Sequence, residues 1–70
     1  MNKTLFGERL KYLRQERNIG QNELAKKLDV GNATISRWEN GLQEPDFYYA
    51  IKVSTFFEVS LDYLAGLTEY

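Results

Sequence analysis

Residues 21–40, QNELAKKLDVGNATISRWEN, decide the fold of this 70-residue chain. The segment is typical of two short helices, at about 21–28 and 32–39, with a three-residue turn at 29–31 between them. Asn40-Gly41 follows the second helix and is expected to end it in a left-handed conformation. The pattern therefore predicts two helices that pack across a tight turn.

The two helices of this segment differ in their apolar content. The first has a complete inner face, formed by Leu24, Ala25 and Leu28. In the second, only Ile35 and Trp38 are large and apolar, and their spacing of one turn predicts that Trp38 belongs to the core. The other positions hold short polar groups and one long cation: Asn32, Thr34, Ser36 and Arg37. Such a helix fits the DNA major groove, which is about 12 Å wide, and its N-terminal N–H groups favour phosphate.

The rest of the chain predicts three more helices and no strand, so the expected fold class is all-α. These helices are expected at about Leu5–Arg17, Phe47–Phe57 and Leu61–Ala65, with Thr4, Asp46 and Ser60 as their N-caps. Their inner faces are expected to consist of Phe6, Leu10, Leu13, Phe47, Ala50, Val53, Phe57, Leu61 and Leu64.

The chain is expected to form a single domain, residues 1–70, in which residues 67–70 are a loosely held tail. Gly7 lies within the first helix, where glycine costs about 1 kcal/mol relative to alanine. We therefore expect Gly7 to permit close packing against a neighbouring helix.

Composition excludes several classes of function. The chain has no cysteine and no histidine, and its carboxylates are not clustered at catalytic spacing. It therefore lacks the usual general bases and the ligands of most metal sites. No apolar run approaches the roughly 20 residues of a membrane span, and no signal peptide is recognisable. We expect a cytoplasmic binding protein with no enzymatic activity, no cofactor, no metal and no membrane association.

The charges are distributed unevenly along the chain. Residues 1–37 carry eight Lys or Arg and four Asp or Glu, whereas residues 38–70 carry one and six. A phosphate backbone would favour the first half. The alternative is a chance asymmetry on a solvated surface.

Several motifs in fixed order resemble one known family. They are FGERLKYLR at the start, then GQNELAKKLDV, ATISRWENG, Pro45-Asp46, and a final SLDYLAG. Together they resemble the Cro and repressor proteins of phages, also called Xre-type helix-turn-helix regulators, over nearly all of residues 4–66. The resemblance implies a five-helix, lambda-repressor-like DNA-binding domain. Ala25 matches a position at which only a small residue lets the two motif helices cross.

The resemblance also implies roles for individual residues. The positions that match base-contacting residues are Asn32, Ala33, Thr34 and Arg37. Gln21 and Asn40 match residues that contact the DNA backbone, and we expect phosphate contacts from Asn22 and Ser36 as well. Arg14 and Glu39 match a partly buried ion pair that joins the first helix to the third.

The chain departs from the family pattern in four places. Asp29 stands where the turn usually has glycine, but Asp tolerates a left-handed backbone better than most residues. Gly20 and Gly31 replace the hydroxyl N-caps, at a cost of a few tenths of a kcal/mol each. Gln43 and Glu44 stand where basic residues often follow, so phosphate contacts from this loop are in doubt.

The expected function is sequence-specific binding of double-stranded DNA by a bacterial or phage-encoded transcription regulator, most simply a repressor. A homodimer would occupy a palindromic operator with half-sites about 34 Å apart. The alternative is an antitoxin or co-regulator that acts mainly through protein–protein contacts. The last two helices hold more aromatic residues than a small core needs, either as half-exposed core residues or as a dimer face: Tyr48, Tyr49, Phe56, Phe57 and Tyr63.

Overall fold

The computed structural model describes all residues of the chain, Met1–Tyr70. Five helices follow one another without a strand: α1 (Lys3–Glu16), α2 (Gln21–Leu28), α3 (Asn32–Glu39), α4 (Phe47–Phe57) and α5 (Leu61–Ala65). The predicted all-α class and the predicted bounds of α2 to α5 are confirmed. None of the five helices combines the length and the apolar character needed to cross a bilayer.

The start of α1 differs from the prediction. We expected a helix over Leu5–Arg17 with Thr4 as its N-cap, but α1 begins at Lys3 and Arg17 is its C-cap. The N-cap is Asn2, whose side-chain oxygen accepts a hydrogen bond from the Leu5 N–H at 3.0 Å. Asn ranks above Thr as an N-cap, which favours the longer helix.

The core draws on all five helices. Ten buried residues form one cluster: Phe6, Leu10, Leu24, Ala25, Leu28, Ile35, Trp38, Val53, Phe57 and Leu64. Trp38 is 1% exposed, as predicted. Its ring and that of Phe6 pack edge to face, with their centroids 6.0 Å apart. Its indole N–H is buried and has no hydrogen-bond partner. Leu13 and Leu61 are half-buried at the margin of the core.

The predicted burial of Phe47 is wrong. Its side chain is 73% exposed, while Ala50, Val53 and Phe57 are buried as expected. Phe47 is the first residue of α4, and a helical side chain leans towards the N-terminus of its helix, so this ring extends past the end of the core. Tyr49 covers the core at this end, with its ring centroid 6.0 Å from that of Trp38.

Gly7 brings α1 against the last turn of α3, as expected. A Cβ at this position would overlap the carbonyl oxygen of Trp38 and lie 2.9 Å from that of Glu39. These neighbours are backbone atoms and cannot rotate away. A residue without a side chain is therefore needed at Gly7.

Two long cations donate to backbone carbonyl oxygens that are distant in the sequence. Lys52 of α4 donates to the carbonyl oxygen of Leu28, the last residue of α2, at 2.7 Å. Arg9 of α1 donates to the carbonyl oxygens of Tyr63 and, at 2.6 Å, Thr68. In the C-terminal segment the Tyr70 side chain is 93% exposed, so the contact from Arg9 holds the backbone rather than the side chains.

Candidate nucleic-acid interface

α3 has one buried face and one exposed face. Ile35, Trp38 and Glu39 are buried and fix the helix to the core. The opposite face is polar and contains all four predicted base-contacting residues: Asn32, Ala33 and Arg37, which are exposed, and Thr34, which is half-buried. Ser36 is half-buried next to this face, and Asn40, just past the helix, donates to its hydroxyl at 3.4 Å. The structure therefore brings the predicted α3 residues together on one surface.

Arg37 is held in place in the unbound protein. Its Nε donates to Gln43 Oε1 at 2.9 Å, and its Nη2 donates to Thr34 Oγ1 at 3.3 Å. Sequence reasoning did not assign Gln43 to the site. The only signal was that Gln43 departs from the basic residues often found there, which does not indicate a contact with Arg37.

A buried ion pair supports α3 from behind. Arg14 donates to Glu39 through Nε at 2.6 Å and through Nη2 at 2.9 Å, and to the carbonyl oxygen of Ile19 at 3.0 Å. The side chains of Arg14 and Glu39 are 12% and 3% exposed. The hydrogen bond to Glu39 raises the pKa of the Arg14 guanidinium above its ordinary value, against the lowering effect of burial. The ion pair joins α1 to α3.

Gln21 belongs to the same network. Its side-chain amide donates to Glu39 Oε1 at 3.1 Å, so the side chain of this half-buried residue is fixed at the start of α2. An amide nitrogen carries two N–H groups, and one remains free for an outside acceptor. The neighbouring Asn22 is fully exposed.

The N-termini of α2 and α3 are both open. Their N-caps, Gly20 and Gly31, supply no side-chain hydrogen bond, so the first N–H groups of each helix lack a side-chain acceptor. Asp29, between the two helices, adopts the expected left-handed conformation with φ 59° and ψ 50°. The turn between α2 and α3 therefore forms without a glycine at this position.

An open cleft lies beside Thr34, between the turn after α2 and the loop after α3. Its lining includes three carboxylate residues, Asp29, Glu44 and Asp46. Like charges would disfavour a phosphate here. The acidic lining, like the sequence, disfavours phosphate contacts from the loop after α3.

Comparison with known proteins places the chain in a family. The model of a family described as Helix-turn-helix matches residues 10–64. The chain belongs to this helix-turn-helix family, of the Xre or Cro/CI type.

Relatives carry the same segment within longer proteins. The HTH-type transcriptional regulator ImmR of Bacillus subtilis is 41% identical over 64 residues, which cover 91% of this chain and 50% of ImmR. The HTH-type transcriptional activator BcrR of Enterococcus faecalis is 39% identical over 59 residues, which cover 84% of this chain and 29% of BcrR. The chain thus spans half or less of the length of these two relatives.

A solved structure shares the fold. The crystal structure of the P22 c2 repressor in complex with a synthetic operator superposes with a TM-score of 0.82 at 37% identity. The match covers 86% of this chain and 91% of that one. The expected five-helix repressor-like fold is therefore confirmed.

Proposed function

We propose that this chain is a single domain that binds double-stranded DNA sequence-specifically as part of a transcription regulator. The observation that carries the proposal is the exposed polar face of α3, fixed to the core on its opposite side by Ile35 and Trp38. In the proposed complex α3 lies in the major groove, and Asn32, Ala33, Thr34 and Arg37 face base edges. Asn suits adenine N6 and N7, and Arg suits guanine O6 and N7.

The backbone contacts in this proposal come from the start of α2 and the outer edge of α3. Gln21, Asn22, Ser36 and Asn40 contact phosphates, and the open N-termini of α2 and α3 add N–H donors and the positive end of each helix dipole. These contacts position the domain and carry no sequence information directly.

A homodimer on a palindromic operator is the proposed functional form. The start of α4 and the preceding loop expose four large apolar side chains: Leu42, Phe47, Tyr48 and Ile51. Exposed aromatic residues are typical of interfaces. DNA binding would place the protein in the cytoplasm of a bacterial cell, with repression as the proposed outcome.

The test is selection of bound duplexes from a random-sequence DNA pool by the full chain. We expect enrichment of a short palindrome whose half-sites are about one helical turn apart. Asn32→Ala should relax preference at one base position in each half-site. As a control, Lys11→Ala removes an exposed cation of α1 and should leave the preference unchanged. Failure of the chain to enrich any sequence would overturn the proposal.

The second candidate is an antitoxin or co-regulator that holds another protein, and the apolar side chains at the start of α4 favour it. Alanine at Arg37 separates the two functions. The substitution should impair the function of a regulator that recognises DNA. It should leave the function of an antitoxin or co-regulator that binds another protein unchanged.

A further inference from the structure

We propose that Gln43 is a positioning residue that fixes the guanidinium of Arg37 and thereby sets the base preference of Arg37. This inference rests on the proposed function, because it assumes that Arg37 faces a base edge. It goes further in assigning part of the specificity to a residue outside α3.

The hydrogen bonds of Arg37 leave a defined set of donors free. A guanidinium has five N–H groups. Gln43 Oε1 accepts the Nε–H at 2.9 Å, and Thr34 Oγ1 lies 3.3 Å from Nη2. Arginine recognises guanine with two parallel N–H groups, and those groups lie either on the Nε/Nη2 edge or on the terminal Nη1/Nη2 edge. Since Gln43 occupies Nε, the terminal edge is the one presented to DNA.

Gln43 also limits the mobility of an exposed side chain. Arg37 is exposed, and a long flexible cation loses rotamer freedom when it binds. A side chain that is already fixed in the free protein loses less, which is the effect of preorganisation. The contact from Gln43 therefore favours one orientation of Arg37 before DNA arrives.

The chemistry of the acceptor matters because Arg37 must keep its charge for DNA. An amide oxygen accepts a hydrogen bond without neutralising the guanidinium, whereas a carboxylate would cancel its positive charge. The adjacent Glu44 is exposed and does not pair with Arg37, since the one ion pair of the molecule is Arg14–Glu39. Gln43 is thus suited to orient Arg37, and Glu44 provides a matched control one residue away.

The experiment measures the affinity of the full chain for its selected duplex and for every single-base change of that duplex. Gln43→Ala should lower the preference at the base pair that Arg37→Ala also relaxes, by about two- to tenfold, the factor expected from one hydrogen bond. Preference elsewhere in the site should not change. Gln43→Glu keeps an acceptor, so it should restore that preference while weakening binding to all duplexes. Glu44→Ala should leave the preference profile as in the original chain.

The double variant Arg37→Ala/Gln43→Ala distinguishes positioning from direct contact. If Gln43 acts through Arg37, the double variant should match Arg37→Ala. A further loss would show that Gln43 contacts DNA itself and would overturn the inference. An unchanged profile for Gln43→Ala would also overturn it, while leaving the proposed function intact if Arg37→Ala still relaxes one position. If the original chain enriches no sequence, the proposed function fails and the inference fails with it.

Discussion

The two helices of the helix-turn-helix and the three helices that support them begin in different ways. At the start of α1, α4 and α5 an N-cap side chain accepts a hydrogen bond from a backbone N–H group of the helix; these N-caps are Asn2, Asp46 and Ser60. α2 and α3 start at Gly20 and Gly31 without such a hydrogen bond. The N-termini of the supporting helices are therefore closed, and those of the helix-turn-helix are open.

Backbone geometry does not require glycine at either open end. Gly20 and Gly31 have φ of −83° and −73°, which any residue adopts. A Cβ at Gly20 would meet no atom within 4 Å, and one at Gly31 would lie 3.9 Å from Thr34 Oγ1. Glycine at these two N-caps therefore costs α2 and α3 a little stability. In return, it leaves free the N–H groups that contact DNA in the proposed function.

The opposite ends of the same two helices are firmly held. Lys52 hydrogen-bonds the last carbonyl group of α2, and Arg14 pairs with Glu39 at the end of α3. Gly7 lets α1 approach the last turn of α3. The helix-turn-helix is thus anchored at the C-terminal ends of its helices, while the first N–H groups of both helices lack a side-chain acceptor. The following predictions test that arrangement from the largest expected effect to the smallest.

Glu39→Ala should destabilise the protein by about 3 kcal/mol or more, because it leaves the Arg14 guanidinium buried without its partner. Urea unfolding measures the change. Glu8→Ala, at an exposed position of α1, should change stability by less than about 0.5 kcal/mol. The double variant Arg14→Met/Glu39→Leu should recover most of the loss. Equal effects of Glu39→Ala and Glu8→Ala would show that the pair does not anchor α3.

Gly7→Ala should cost about 1–3 kcal/mol, since the added methyl group forces α1 away from the backbone of α3. Alanine is the better helix former by about 1 kcal/mol, so propensity alone predicts the opposite sign. Gln15→Ala, at an exposed position of the same helix, provides the control in thermal unfolding. A more stable Gly7→Ala protein would rule out the close approach.

Arg37→Ala should cost about 1–3 kcal/mol of DNA-binding free energy per half-site and relax preference at one base pair. Gln21→Ala should instead weaken the selected duplex and random DNA by similar factors, because a phosphate contact is independent of sequence. It should also leave the slope of log affinity against log salt nearly unchanged, since Gln21 is neutral. If Arg37→Ala weakens all duplexes equally, Arg37 contacts the backbone and does not face a base.

Exchanging the helix starts tests the comparison itself. Asp46→Ala removes a side-chain N-cap from α4 and should cost about 1 kcal/mol of stability without changing DNA affinity. Gly20→Asp should stabilise the free protein by a few tenths of a kcal/mol. It should nevertheless weaken DNA binding about fivefold, the effect of two like charges about 4 Å apart in water. Unchanged DNA affinity for Gly20→Asp would place phosphates away from α2.

Much of the fold could be predicted because its signals are local. Asp46, Ser60 and Gly66 define the ends of α4 and α5 through hydrogen bonds or left-handed backbone within a few residues. The start of α1 was missed because Asn2 and Thr4 are both capable N-caps and periodicity does not choose between them. Phe47 was misplaced because spacing places a residue on a helix face but does not say where the core ends along the helix axis.

The candidate site, like the fold, has one part that could be predicted from the sequence and one part that could not. The face of α3 follows from its periodicity, so its exposed residues could be identified before the structure. The hydrogen bonds from Arg37 to Gln43 and from Gln21 to Glu39 depend on how an irregular loop and a helix crossing place side chains. No spacing rule contains that information.

Trp38 gives the protein an optical reporter of its own. It is the only tryptophan of the chain, it is 1% exposed, and it lies on the inner side of α3 against Phe6. Its fluorescence should respond when α3 separates from α1, because the indole then meets water. Rearrangement of the exposed side chains of α3 should leave the emission unchanged. A single unlabelled sample can therefore distinguish a domain that unfolds from one that only adjusts its outer face.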